Sequence, residues 1–262
     1  MKLKAIKISN FRCLEDVNIV LNDYSSLIGP NNSGKSTIIK AIEHFLNQNS
    51  PSIEEFRETA SEIIEYLGNK IEKRCFSDIV FEGEFSDIQE WEKRSPGVAG
   101  IIFEDKIKLR ETISVTHTPE SGKYVVAKKY EAYVKEDIID GLDSSKLSDC
   151  SEEIQAIVRS LDFNGTTFKS KANLAVIKDK IKRDYPQYYR VGDWEWSSSN
   201  FGIDAALKRA IPTAVVIPAL TSIEEALKNT QTSTFGRLLS KVIMPKVKAS
   251  PHYIDVTDSF SR

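Results

Sequence analysis

Gly29-Pro30-Asn31-Asn32-Ser33-Gly34-Lys35-Ser36-Thr37 is the stretch on which the fold turns. It satisfies G-x-x-x-x-G-K-[ST], a spacing in which each residue type has a physical task. Gly29 and Gly34 allow backbone angles that a Cβ forbids, so successive N–H groups of the loop, through Asn31, Asn32 and Ser33, point inward at phosphate oxygens. Lys35 reaches the β- and γ-phosphates, the Ser36 hydroxyl is placed for Mg²⁺, and Thr37 supports the α-phosphate side. The flanks agree with this reading. An apolar strand is expected at 25–28, ending at Gly29. A helix is expected from about Ser36, with Ile38, Ala41, Ile42, Phe45 and Leu46 on its inner face. Its N-terminus adds unpaired donors and a positive dipole end.

Working outward toward the N-terminus, residues 3–8 and 17–21 read as strands, the second with Val17, Ile19 and Leu21 at period two. Ser9-Asn10-Phe11-Arg12 reads as a tight connection between them. Toward the C-terminus, Ser52-Ile53-Glu54-Glu55 has the form of a capping box. It predicts a second helix with Ile53, Phe56, Ala60, Ile63, Ile64 and Leu67 as the buried stripe and Gly68 as the C-terminal cap. Beyond it the period changes. Ile79, Phe81, Gly83 and Phe85 alternate, Ile107, Leu109, Ile113 and Val115 alternate again, and 124–134 follows a turn at 119–122, which together predict an antiparallel sheet.

From Ser151 the spacing is helical once more, through Ile154, Ile157, Val158 and Leu161, then Leu174, Ile177 and Ile181. The aromatic stretch 185–196 either covers a core edge or offers rings to bases, and packing is the favoured reading. Ala214-Val215-Val216-Ile217 reads as a strand buried on both faces. Another capping box, Ser222-Ile223-Glu224-Glu225, precedes a last amphipathic helix carrying Phe235, Leu238, Leu239, Val242 and Ile243. The implied organisation is a phosphate-binding lobe at 1–75, an antiparallel block at 76–135, a helical and aromatic insertion at 136–212, and a return to the core at 213–262.

The 262 residues, 40% of them apolar, suffice for a globular core. Cys13, Cys75 and Cys150 are scattered, with no C-x-x-C pair and no His at metal-ligand spacing nearby, which favours a reducing cytosol and predicts neither disulfides nor a cysteine-ligated metal. No signal peptide or membrane-length apolar run is read, so the expected location is cytoplasmic. A net charge of −2 does not announce a nucleic-acid binder. The basic run Lys178-Asp179-Lys180-Ile181-Lys182-Arg183 reads first as a solvated helix face.

The loop Gly-Pro-Asn-Asn-Ser-Gly-Lys-Ser-Thr, preceded by Ile8-Ser9-Asn10-Phe11-Arg12, resembles the ATPase heads of RecF, SMC-type proteins and the OLD (overcoming lysogenization defect) family of nucleases. OLD is the preferred branch, because 216–220 and 234–239 are also similar to a stretch of that family's ATPase domains. Members of that family often carry Arg where this chain has Thr221. The resemblance implies an α/β P-loop NTPase of the ABC-like type, binding ATP and Mg²⁺, with Lys35 and Ser36 catalytic. It implies that Asn10 and Arg12 lie beside the nucleotide, Arg12 facing the phosphates; a surface salt bridge is the alternative for Arg12. Homo-oligomerisation through ATPase heads and DNA as a partner of the complete protein are implied too, and no membrane.

Parts of such a head are not in this sequence. No apolar strand ends in Asp-Glu; Ile101-Ile102-Phe103-Glu104-Asp105 has the acids reversed. No Leu-Ser-Gly-Gly signature, no switch histidine among His44, His117 and His252, and no Asp-x-Asp of a Toprim nuclease are found. Gln89 reads as a helix start rather than a Q-loop glutamine. The expectation is therefore an incomplete head that binds ATP, is inactive as this chain alone, and is completed by further chain or a partner subunit. An OLD-type, DNA-directed ATPase governing a nuclease in antiphage defence or repair is the leading reading. A RecF- or SMC-like DNA clamp and a non-hydrolysing, nucleotide-dependent regulator are the alternatives.

Overall fold

The computed structural model describes residues 1–94, 98–142, 146–161, 171–198 and 211–217, together with Gly236, Leu238 and Leu239. The strands are β1 (Lys2–Phe11), β2 (Leu14–Val20), β3 (Glu58–Tyr66), β4 (Asn69–Phe76), β5 (Ile79–Ser86), β6 (Ile107–Thr118), β7 (Lys123–Ile139) and β8 (Tyr189–Ser197). The helices are α1 (Lys35–Asn47), the short α2 (Glu90–Lys93), α3 (Glu152–Ser160) and α4 (Lys171–Asp184). One sheet runs in the order β2-β1-β5-β6-β7-β8, and β3 and β4 form a separate hairpin. The β7–β8 and β3–β4 pairs are antiparallel. The structure has a mostly antiparallel sheet, and the described helices are few.

The chain divides into two compact units, the first comprising Met1–Ala5, Glu82–Thr112 and Lys128–Ala210, the second Ile6–Phe81, Ile113–Ala127 and Ile211–Arg262. In the second unit α1 forms because Ala41, His44 and Phe45 recur on one face and are buried. Phe45 and Phe11 both meet Phe81 edge to face, at 6.2 and 5.5 Å between ring centroids, so the helix that follows the glycine loop is seated on β1 and β5.

In the first unit, α3 starts where Ser151 Oγ accepts the amide of Ile154. Its buried Ile154 and Val158 join Ile139, Leu147, Cys150, Ile177 and Ile181 in one cluster. The aromatic stretch packs. Trp194 lies 4.2 Å from Phe103 and stacks on Tyr133, while the Arg110 guanidinium covers Trp196 at 4.1 Å. The basic run sits on α4, where Lys182 rests over Tyr189 and Arg183 pairs with Asp184.

Three sequence expectations are corrected. The helix predicted after Ser52 is a single 3₁₀ turn, Ile53–Glu55, followed by the β3–β4 hairpin. Thr59, Ile63, Ile64 and Tyr66 favour strand, and Leu67 and Gly68, both at positive φ, supply the two-residue turn that a hairpin prefers. The strand expected at 25–28 does not form, and Ile28 is 92% exposed. Residues 214–217 form no strand either, and Ile217 is exposed. Both runs are apolar enough for a buried strand, but a strand needs neighbours to pair its main chain, and among the described residues no strand pairs with these two. The side chain of Asn47 substitutes for one neighbour: its amide donates to Ala214 O and accepts from Ala214 N, each at 3.0 Å. Most of the predicted last helix and the capping box at Ser222 lie outside the described residues.

Candidate functional site

The glycine loop and the first turn of α1 line an open recess of about 570 Å³, formed by Cys13 and residues 31–37. Its shape depends on two glycines. Gly34 has φ +86°, and a Cβ there would stand 3.2 Å from Leu14; a Cβ on Gly29 would stand 2.9 Å from Ser33 Oγ. Asn32, at φ +64°, gives the loop a second left-handed turn. Ser33 N donates to Pro30 O, closing the loop, and the first α-helical bond runs from Ile38 N to Gly34 O. The amides of Lys35, Ser36 and Thr37 precede that bond and have no helical acceptor. The first turn of α1 carries no acid that would neutralise them.

Lys35 is folded along the loop. Its ammonium donates to Gly29 O at 2.8 Å, Pro30 O at 2.6 Å and Ser33 Oγ at 3.3 Å. These acceptors are exposed and uncharged, so an anion of higher charge competes for the ammonium at small cost. Ser36 is exposed at the mouth of the recess. The Thr37 hydroxyl is accompanied by Cys13 Sγ at 3.8 Å, which sets the β1–β2 turn beside the start of α1. A triphosphate with a hard divalent cation fits this donor set: glycines where a Cβ would intrude, unpaired amides, one ammonium and an accessible hydroxyl.

Asn10 and Arg12, both at positive φ, are held by other partners. Asn10 Nδ2 donates to Asp78 O at 3.1 Å. The Arg12 amide donates to Glu55 O at 2.9 Å and its Nε lies 3.2 Å from Glu55 Oε1. Of the β1–β2 turn, Cys13 lines the recess. Glu55 is itself a hub. Its carboxylate, 4% exposed, meets Lys40 Nζ at 2.7 Å, His44 Nε2 at 3.4 Å and the Ser52 amide at 2.9 Å. Burial pushes its titration up, but the Lys40 and Ser52 hydrogen bonds and the charges of His44 and Lys40 outweigh it, and the carboxyl is held below its ordinary range.

Sequence reasoning assigned no part in this neighbourhood to Cys13 or Glu55. The capping-box spacing marked Glu55 as a local helix feature, and nothing in the spacing linked it to Arg12. Elsewhere, Gln89 is the N-cap of α2, its amide donating to Glu92 Oε2, as the helix-start reading expected. Glu104 and Asp105 occupy an exposed turn, both at positive φ, between the bridged residues Phe103 and Lys106.

The family described as AAA ATPase domain matches residues 1–261. An OLD nuclease of Thermus scotoductus is 44% identical over 55 residues, which is 21% of this chain and 10% of that protein. The Old nuclease of Escherichia phage P2 is 23% identical over 245 residues, 93% of this chain and 29% of that protein. The chain therefore spans less than a third of either curated relative's length. A solved structure from work on ATP-driven dimerization and DNA-stimulated activation of SMC ATPases overlaps 49% of this chain and 69% of its own, with 17% identity and a TM-score of 0.29. The resemblance to OLD-type ATPases read from the first residues is borne out by both nuclease relatives.

Proposed function

The chain belongs to the AAA ATPase domain family, and from that premise we propose that it is the ATP-binding part of an OLD-type, DNA-directed ATPase that governs a nuclease. The observation that carries the reading is the recess at residues 31–37, built on the start of α1 with Lys35 at its rim. In this reading Lys35 exchanges the carbonyls of Gly29 and Pro30 for the β- and γ-phosphates. The amides of residues 31–37 hold phosphate oxygens, Ser36 Oγ ligates Mg²⁺, and Thr37 orients the α-phosphate side. Bound Mg²⁺ supplies charge neutralisation of the phosphates. Asn10 and Arg12 complete the site, Arg12 as its second cation.

Hydrolysis, in this account, requires further polypeptide. Glu104 and Asp105 stand in an exposed turn, so neither is set at the end of a buried strand to position water. The exposed apolar residues Leu27, Ile28 and Ile217 of the P-loop unit fit a completing lobe that pairs with 25–28 and 214–217. Contact with DNA, pairing of ATPase heads and control of a nuclease belong to the completed assembly, in defence or repair. The same position of Glu104 and Asp105 motivates a second reading, a regulator that binds nucleotide without cleaving it.

Calorimetric titration of Mg·ATP into the full chain and into Lys35→Ala tests the main reading. Loss of the principal phosphate cation is expected to weaken binding more than about tenfold. Equal affinity would contradict it. Steady-state hydrolysis by the chain that disappears in Lys35→Ala would eliminate the non-hydrolysing regulator.

A further inference from the structure

We propose that Glu55 is a positioning residue for the nucleotide site, a buried carboxylate that holds Arg12 at rest and from which bound triphosphate withdraws it. The inference rests on the nucleotide reading above and concerns regulation of that same site.

Four observations carry it. First, access is asymmetric, since the Arg12 side chain is 40% exposed and the Glu55 side chain almost wholly buried. An incoming anion therefore reaches the arginine without displacing the acid. Second, release is inexpensive. When Arg12 leaves, Glu55 keeps Lys40 at 2.7 Å, the Ser52 amide at 2.9 Å and His44 at 3.4 Å, so no buried charge is stranded. Third, the backbone anchor survives the exchange, because Arg12 N–H donates to the main-chain oxygen of Glu55 and not to its carboxylate. The side chain can move while the turn stays. Fourth, the next residue, Cys13, lines the recess and lies against Thr37, and among the described residues lining it Lys35 is the one cation. A magnesium triphosphate retains net negative charge after one ammonium is matched, and Arg12 is the cation next in sequence to the lining residue Cys13.

Glu55 in this role lowers nucleotide affinity by competing for the guanidinium. A purely architectural Glu55 would do the reverse, since its loss would loosen the seat of α1. The sign of the effect therefore separates the two. Glu55→Gln keeps an acceptor for the Ser52 amide and removes the charge.

Mg·ATP titrations of the full chain as wild type, Glu55→Gln, Arg12→Ala and the double variant form the test, with Lys35→Ala as the reference for the site itself. Glu55→Gln is expected to tighten binding about threefold and Arg12→Ala to weaken it about tenfold. In the Arg12→Ala background, Glu55→Gln should change affinity less than about twofold. Weaker binding in Glu55→Gln overturns the proposal, as does tightening that persists without Arg12, which would assign the effect to Lys40. Wild-type binding unaffected by Lys35→Ala would instead bring down the nucleotide reading itself. Should Glu55→Gln not fold, the Arg12 Nε–H resonance of the wild-type chain decides: it is expected to shift on addition of Mg·ATP, and an unmoved signal under saturation overturns the exchange.

Discussion

In the unit of the glycine loop Ile28 and Ile217 stand in solvent, while in the unit of α3 and α4 the side chains of Ile154, Val158 and Ile181 have no exposed surface. The two units use their branched apolar residues differently. Ile154 and Val158 of α3 and Ile177 and Ile181 of α4 share one buried cluster with Ile139, Leu147 and Cys150. The unit of the glycine loop seats α1 through Phe11, Phe45 and Phe81, while among the described residues the runs at 25–28 and 214–217 join no strand. In the first unit buried side chains gather in one cluster, and in the second the glycine loop is set on a helix seated by aromatic contacts.

Ile154→Ala should produce the largest effect, destabilising the chain by about 2–5 kcal/mol through the cavity it opens in a closed cluster. Thermal or urea unfolding measures this, and a loss under about 1 kcal/mol would mean that the core of the first unit is not closed. Gly34→Ala comes next. It forces a Cβ into φ +86° beside Leu14, costing about 1–3 kcal/mol of local strain, and is expected to abolish most Mg·ATP binding while the chain stays folded. Unchanged affinity would show that the loop is not the cradle.

Ile28→Ser sharpens the comparison from the other side. A side chain with no burial to lose should change the stability of this chain by less than about 0.5 kcal/mol. A cost above about 1 kcal/mol would reveal that the 25–28 run is already covered, and the contrast between the units would disappear. The smallest effect concerns acid. Glu55 titrates below its ordinary 4.5 in the folded chain, held there by Lys40, Ser52 and His44 against the opposing effect of burial. A depressed carboxylate contributes stability that is fully present above about 4.5, where it is ionised in both states, and that is lost as pH falls through the folded value. The melting temperature of the wild type should fall in that acidic window, and Glu55→Gln should flatten that part of the profile. An identical slope in both proteins would show that Glu55 gains nothing from its partners.

The glycine loop, α1 and the alternating strands were legible because each depends on local pattern: a spacing, a 3.6-residue stripe, a two-residue stripe. The hairpin at 58–76 was not. Ile53, Phe56, Ala60, Ile63 and Leu67 fall at helical intervals, and Gly68 fits a helix cap as well as a hairpin turn. The β-favouring run Ile63-Ile64-Glu65-Tyr66, ending on Leu67-Gly68, was the discriminating signal. The unpaired runs at 25–28 and 214–217 illustrate a different limit, since hydrophobicity encodes the wish to be buried and not the neighbour that buries it. Glu55 exposes a third. Its partners Arg12, Lys40 and His44 come from a turn and a helix that only the fold brings together.

The claim on which the account rests is that the main-chain amides of the glycine loop hold a phosphate chain. Backbone amide resonances of the full chain, followed during titration with Mg·ATP and again in Lys35→Ala, test it most directly. The largest shifts are expected on residues 31–37 and should vanish in the variant. Shifts concentrated elsewhere, with residues 31–37 unmoved at saturation, would contradict it.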